Sequence, residues 1–240
     1  MRVASVPRTE AMVEAIVQRS GERGMRVNGK KTTVLCMSNA VTFQARATVR
    51  VQGDEISSGD HLKLLGFTFS NAPTVNKHVE LLVRKLRSRT WALSKLRRQG
   101  FNEKELVAFY CGAIRPVAEY ASPVFHSMMP AYLSAALERQ QVQALKNIFG
   151  PLLSARQLRE KAGIETLQAR REKAVLKFAE KAYKSERFAR WFPTRIRNSA
   201  TRSNRPFLET VSRTDRKKNS PVNYMRRILN NSRDTAPVRT

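Results

Sequence analysis

The chain has 240 residues, with 45 Lys and Arg against 19 Asp and Glu, a formal charge of +26 and an isoelectric point near 11.2. Such an excess goes beyond what solubility requires and points to a polyanionic partner. The basic residues run along the whole length, which favours nucleic acid over a membrane surface. No run approaches the roughly 18 apolar residues of a membrane span, and the N-terminus lacks the apolar stretch of a secretion signal.

An intracellular location, nucleus or cytoplasm, is therefore expected. Cys36 and Cys111 lie far apart in apolar surroundings and read as buried reduced thiols, not as a disulfide. At 41% hydrophobic content the chain has material for one or two modest cores.

Met12, Val13, Ile16 and Val17 share one helical face, so a first helix is predicted over residues 9–18, ended by Gly21 and Gly24. Short β-prone runs follow at 33–37, 47–51 and 64–69, with Gly53-Asp54 and Gly59-Asp60 as turn residues between them. This small helix-plus-sheet unit is assigned to residues 1–72. After Pro73 the pattern turns helical: Val75, Val79, Leu82, Leu86, Leu93 and Leu96 recur at spacings of three, four and seven. Asn102 and Glu105 form a capping-box signature ahead of Leu106, Val107, Phe109, Tyr110, Ala113 and Ile114, and Pro116 and Pro123 are expected to break that helix. Further helices are predicted over 132–149, stopped by Gly150-Pro151, over 154–161, closed by Gly163, and over 166–184. Residues 73–184 thus read as a helical domain. Beyond them apolar periodicity fades, Ser, Asn, Arg and Pro dominate, and 185–240 reads as a basic flexible tail. The expected fold class is α+β, predominantly α-helical.

Several segments carry a family resemblance. GMRVNGKKTTVLCMS (24–38) resembles the GLxLNxxKTxxMxFS segment that follows the catalytic aspartate hairpin in reverse transcriptases of non-LTR, LINE-like retrotransposons; Gly24, Asn28, Lys31, Thr32 and Ser38 match. HLKLLGFTFS (61–70) resembles that family's primer-grip hairpin, xFKYLGVxxx, with Lys63, Leu65 and Gly66 matching and Phe67 an apolar replacement. IRPVAEYASPVFH (114–126) looks like the IRPVLEYASPVWH block of the thumb-like region and is the most specific match. LERQQVQALKNIFG (137–150), GIETLQARREKAVLKF (163–178) and SPVNYMRRILN (220–230) are similar to LExVQKRALRIIFG, GIxTLxxRREELCLKF and SPIPYMTRLLN, although Gln143 stands where a basic residue is usual. All occur in family order. The resemblance implies the end of a polymerase palm over 1–72 and a thumb-like helical domain over 73–184. The catalytic aspartate hairpin would precede residue 24 and is expected to be missing, so that 24–38 marks a boundary.

The acidic inventory agrees with that expectation. Two-metal nucleotidyl transfer needs clustered carboxylates, whereas Asp54 and Asp60 fall in predicted turns, Asp215 and Asp234 fall in the tail, and none sits in an aromatic-x-Asp-Asp pattern. The chain is expected to be inactive alone and to hold no cofactor; Mg²⁺ is expected only for an intact parental enzyme. His61, His78 and His126 lack zinc-site spacing, and neither a phosphate-binding glycine loop nor a nucleophile elbow is present. Lys31 is the one accessory catalytic candidate. The resemblance gives it a role in neutralising pyrophosphate, and a solvated loop charge is the alternative.

Nucleic-acid binding has the broader support. Lys77, Arg84, Lys85, Arg87, Arg89, Lys95, Arg97 and Arg98 face a single Glu80 on one predicted helix, a cationic stripe suited to phosphates of RNA, DNA or an RNA–DNA duplex. The resemblance adds Lys63, Leu65, Gly66 and Phe67 from the primer-grip-like hairpin. Trp91 either stacks on a base or fills the core, the commoner fate of a tryptophan. The rival reading is a non-enzymatic basic nucleic-acid-binding or ribonucleoprotein scaffold protein. Residues 75–184 are expected to fold best, because strand 33–37 would leave unpaired edges.

Overall fold

The computed structural model describes residues 6–37, 47–194, 206–210 and 212–234, which form a predominantly helical fold with two small antiparallel sheets. Two compact units divide it, Met1–His78 and Val79–Thr240. Ser38, the last matched residue of the 24–38 segment, lies outside the described residues.

The first unit begins with α1 (Val6–Gly21), followed by a 3-10 turn at Gly29–Lys31. Strands β1 (Thr48–Val51) and β2 (Asp54–Ser57) pair Thr48 with Ser57 and Val51 with Asp54. Strands β3 (His61–Leu64) and β4 (Phe67–Ser70) pair His61 with Ser70 and Leu64 with Phe67. Both hairpins turn through two left-handed residues, Gln52-Gly53 (φ 52° and 90°) and Leu65-Gly66 (φ 48° and 81°). Such turns match the right-handed twist of the flanking strands. They also explain why the single run expected at 64–69 is split, since its Leu-Gly pair is the turn itself.

The core of this unit contains Val49, Val51, Phe67, Val75 and His78. The Thr68 N–H donates to His78 Nδ1 at 3.3 Å, and the Phe67 and His78 rings lie 4.1 Å apart. Val75 and His78 therefore belong with the hairpin, which moves the end of the unit from the expected residue 72 to 78. The strand expected over 33–37 does not form. Val34 makes one parallel bridge to Ser58, and each sheet is complete within its own hairpin. Helix α1 lies against β1, where Glu10 accepts from the Arg50 N–H at 3.0 Å. Its Met12 and Ile16 nevertheless remain 58% and 56% exposed.

Helix α2 (Asn76–Arg98) starts in the first unit and runs on in the second. There its buried residues are Val79, Leu82, Leu86, Thr90 and Leu93, the three-and-four spacing of one helical face. Helix α3 (Glu103–Phe109) opens on the expected capping box: Asn102 Oδ1 accepts from the Glu105 N–H at 3.1 Å and Glu105 Oε2 from the Asn102 N–H at 2.9 Å. Pro116 does not break the path as expected. A wide π turn over Tyr110–Ile114 carries the chain into α4 (Arg115–Glu119), leaving room for a ring that would otherwise strike the carbonyl four residues back. The break comes at Ala121, whose φ of 57° is left-handed, before α5 (Ser122–Phe125). Helices α6 (Ala131–Phe149), α7 (Ala155–Ala162) and α8 (Leu167–Tyr183) follow, with Gly150 (φ 95°) and Gly163 (φ 62°) ending the first two.

The segment expected to be a basic flexible tail is folded where it is described. A 3-10 turn at Glu186–Trp191, helix α9 (Asp215–Lys218) and helix α10 (Pro221–Asp234) succeed α8. Phe192, Phe207, Met225 and Leu229 join Val175, Ala179 and Ala182 of α8 in one apolar cluster. Polar residues complete the packing. Asn230 Nδ2 donates to the Phe207 carbonyl and Asn230 Oδ1 accepts from the Phe207 N–H, both at 3.1 Å, while Arg226 Nε donates to the Trp191 carbonyl at 2.6 Å. Residues that read as tail composition thus satisfy backbone groups that burial would otherwise orphan.

Candidate nucleic-acid interface

Helical periodicity sorts the cations of α2 into two sets. Arg89 and Arg97 flank the buried stripe and donate to backbone: Arg89 Nη1 to the Ala113 carbonyl, and Arg97 Nη1 to the Asn147 carbonyl at 2.9 Å. These two serve packing. Arg84, Lys85, Arg87, Lys95 and Arg98 are exposed, and among the described residues none is in an ion pair. No acidic residue occurs between Glu80 and Glu103 to neutralise them. Lys77, in the first turn of α2, is half-buried and belongs to the first unit.

Trp91 does not fill the core. It is 61% exposed, and Lys95 Nζ lies 3.9 Å from its ring centroid. The reason is its place on the helix. Position 91 lies roughly opposite the stripe of Leu82, Leu86 and Leu93, so burying the indole would require a second covering layer on α2.

The C-terminal turns of α2 and α6 enclose an open cleft of about 700 Å³ lined by Ser94, Arg97, Arg98, Gln143, Lys146, Asn147 and Pro151. Asn147 braces it: its Nδ2 donates to the Thr90 carbonyl at 3.2 Å, and its Oδ1 accepts from Gln143 Nε2 at 3.0 Å. Arg97 caps the α6 carbonyl end, a usual use of a cation near a helix C-terminus. Arg98 and Lys146 line the cleft and, among the described residues, are in no ion pair. Sequence reasoning missed Lys146 and Asn147, because only the crossing of the two helices places them beside α2.

In the first unit the primer-grip-like residues divide. Lys63 is exposed, and Leu65 at the hairpin tip is 84% exposed beside Gly66. Phe67, offered as a nucleic-acid contact, is only 7% exposed and packs against His78 in the core. Lys31 is exposed, and its backbone N–H donates to Asn28 Oδ1 at 3.2 Å in the cap of the 3-10 turn. The shallow cleft of about 470 Å³ at that turn is lined by Lys30, not Lys31, together with Arg26, Val27, Asn28, Gly29, Gln52 and Asp54. A Cβ on Gly29 would sit 2.6 Å from Asp54 Oδ2, so a larger residue there would require the exposed Asp54 carboxylate to swing aside.

Two carboxylates of this unit, Glu55 and Asp60, are engaged separately. Glu55 pairs with Arg50 at 3.0 Å, and Asp60 Oδ1 accepts from Asn71 Nδ2 at 3.4 Å. Among the described residues no three His, Cys, Asp or Glu side chains converge as metal ligands. Cys36 and Cys111 are free thiols, half-buried and not fully buried as expected.

Helix α8 is the electrostatic opposite of α2. Arg170 forms a two-pronged bond to Glu119, with Nε on Oε1 and Nη2 on Oε2 at 3.1 Å, and Lys173 pairs with Glu165. Glu138 accepts from the N–H groups of Leu167 and Gln168 at 3.3 and 2.7 Å and lies 3.9 Å from Arg171. The Arg171 guanidinium is fully buried; desolvation pulls its pKa down, and Glu138 opposes the shift. His126 lies 3.4 Å from the Tyr224 hydroxyl and 3.9 Å from Glu172, and burial, then Arg171, hold its imidazole below the ordinary range. These interactions tie together the 114–126, 137–150, 163–178 and 220–230 segments. Among the described residues no helix is long and apolar enough to cross a membrane. No protein-family model matches this chain, and neither does any curated protein or solved structure.

Proposed function

We propose that this chain is the palm-end and thumb-like C-terminal part of a non-LTR retrotransposon reverse transcriptase, that it grips RNA, DNA or an RNA–DNA duplex through backbone phosphates, and that it adds no nucleotides alone. The observation that carries the binding is the outer face of α2, where Arg84, Lys85, Arg87, Lys95 and Arg98 stand exposed and, among the described residues, in no ion pair. Cations left uncompensated along about 21 Å of helix repel one another, a cost that a polyanion removes. The polymerase ancestry rests on the collinear motif blocks. The exposed Met12 and Ile16 face of α1 suits a unit that covers it with further palm structure.

Phosphate contacts position a duplex without reading its sequence, so affinity should depend steeply on salt. Five neutralised phosphates imply a log–log slope of about −4.5, or roughly a 500-fold loss between 50 and 200 mM monovalent salt. Fluorescence anisotropy of the 240-residue chain with a labelled primed template measures this. The same sample with dNTPs and Mg²⁺ should extend no primer. Extension would overturn the inactive reading, and absent or salt-insensitive binding would favour the scaffold reading.

A further inference from the structure

We infer that α2 carries a base-stacking platform for single-stranded nucleic acid, with Trp91 holding a nucleobase and Arg84, Arg87, Lys95 and Arg98 holding the phosphates on either side. The inference rests on the nucleic-acid-binding reading above and adds to it a preference for unpaired strand. Backbone neutralisation alone asks for charge; it gives no reason for a large aromatic ring on the outermost line of the helix.

Positions 84, 87, 91, 95 and 98 follow the three-and-four spacing that brings residues onto one helical face. All five are exposed. Leaving an indole 61% in solvent forfeits much of the burial energy that normally draws tryptophan inward. Lys95 Nζ, 3.9 Å from the ring centroid, covers one face of the exposed indole, a contact that a stacked base would replace while the flexible lysine moves to the adjoining phosphate. The strand's next phosphates have a destination too. Arg98 belongs both to this face and to the cleft it shares with Ser94 and Lys146. Aromatic rings interleaved with cations are how sequence-tolerant single-strand binders work, because every base has a π-face and every phosphate a charge. In a duplex the bases are already stacked on one another, so Trp91 offers it little and only the cations act.

The test uses the full chain with a mixed-sequence single-stranded 20-mer and a blunt duplex of the same sequence, in RNA and DNA forms. Trp91→Ala should weaken single-strand binding by about 5-fold or more, leave duplex binding within 2-fold, and keep the helical circular dichroism of the parent; Trp91→Phe should retain most of the affinity that alanine removes. In the unmutated chain, the oligonucleotide should quench tryptophan emission and the duplex should not. Arg84→Gln with Arg98→Gln should weaken both ligands and flatten both salt slopes. Equal single-strand affinity for Trp91→Ala and its parent, or no quenching at saturation, overturns the stacking platform while leaving duplex binding intact. Failure of the unmutated chain to bind either ligand instead sinks the binding reading itself.

Discussion

Helices α2 and α8 are both rich in basic residues, and they use them in opposite ways. On α8, Arg170, Arg171 and Lys173 are matched to Glu119, Glu138 and Glu165, and the helix is enclosed by neighbours that include α10. On α2, Arg89 and Arg97 donate to backbone carbonyls, whereas Arg84, Lys85, Arg87, Lys95 and Arg98 are exposed and, among the described residues, paired with no carboxylate. Charge density therefore does not by itself mark an interface. The proposed interface rests instead on uncompensated charge, because an internal carboxylate removes the need for an external anion.

The comparison can be broken most severely through the core under α8. Leu229→Ala should cost about 2–5 kcal/mol in chemical denaturation, as expected for a buried large-to-small change. A cost below about 0.5 kcal/mol would mean that α10 does not pack on α8 in solution. Next comes Glu119→Ala, which strands Arg170 and also removes the carboxylate 3.6 Å from Arg115. A loss of about 1.5–3 kcal/mol is expected for a charged hydrogen-bond pair that is largely shielded from water, and a neutral outcome would reduce α8 to another solvated basic helix.

The pH dependence sharpens the same contrast. Burial first, then Arg171, depress the His126 pKa below its ordinary 6.5, while Glu172 opposes them. The unfolded chain then binds the proton more readily, so the stabilisation from neutral His126 is complete above pH 6.5 and is lost as pH falls through the lower folded value. Thermal midpoints should drop across that limb, and His126→Gln should flatten it; an unchanged limb would show that the burial of His126 beside Arg171 does not govern it. The smallest effect belongs to α2. Arg84→Gln with Lys95→Gln should shift stability by no more than about 0.5 kcal/mol yet reduce the salt slope of duplex binding by about 1 for each phosphate no longer neutralised. A large stability change there would mean that these cations are structural after all.

Much of the helical framework was legible in local pattern. The Asn102–Glu105 capping box, the stop at Gly150 and the closure at Gly163 are short-range signals written within one turn of helix, and the apolar stripe of α2 is a simple periodicity. Other features escaped because they depend on distant partners. The β-prone composition of 33–37 could not supply a neighbouring edge, and Phe67 could not be separated from its hairpin companions before His78 was seen against it. The α10 stripe was hidden by its basic, polar surroundings, since Met225 and Leu229 acquire meaning only beside Val175, Ala179 and Ala182.

For the candidate interface, the sequence alone determined that α2 would be cationic and which of its faces would be apolar, because both follow from residue identity and the helical repeat. Tertiary structure decided which cations remain free for a partner and that Trp91 stands outside. Those outcomes depend on which carbonyls, carboxylates and covering layers other parts of the chain bring within reach, and no periodicity within a single helix records them.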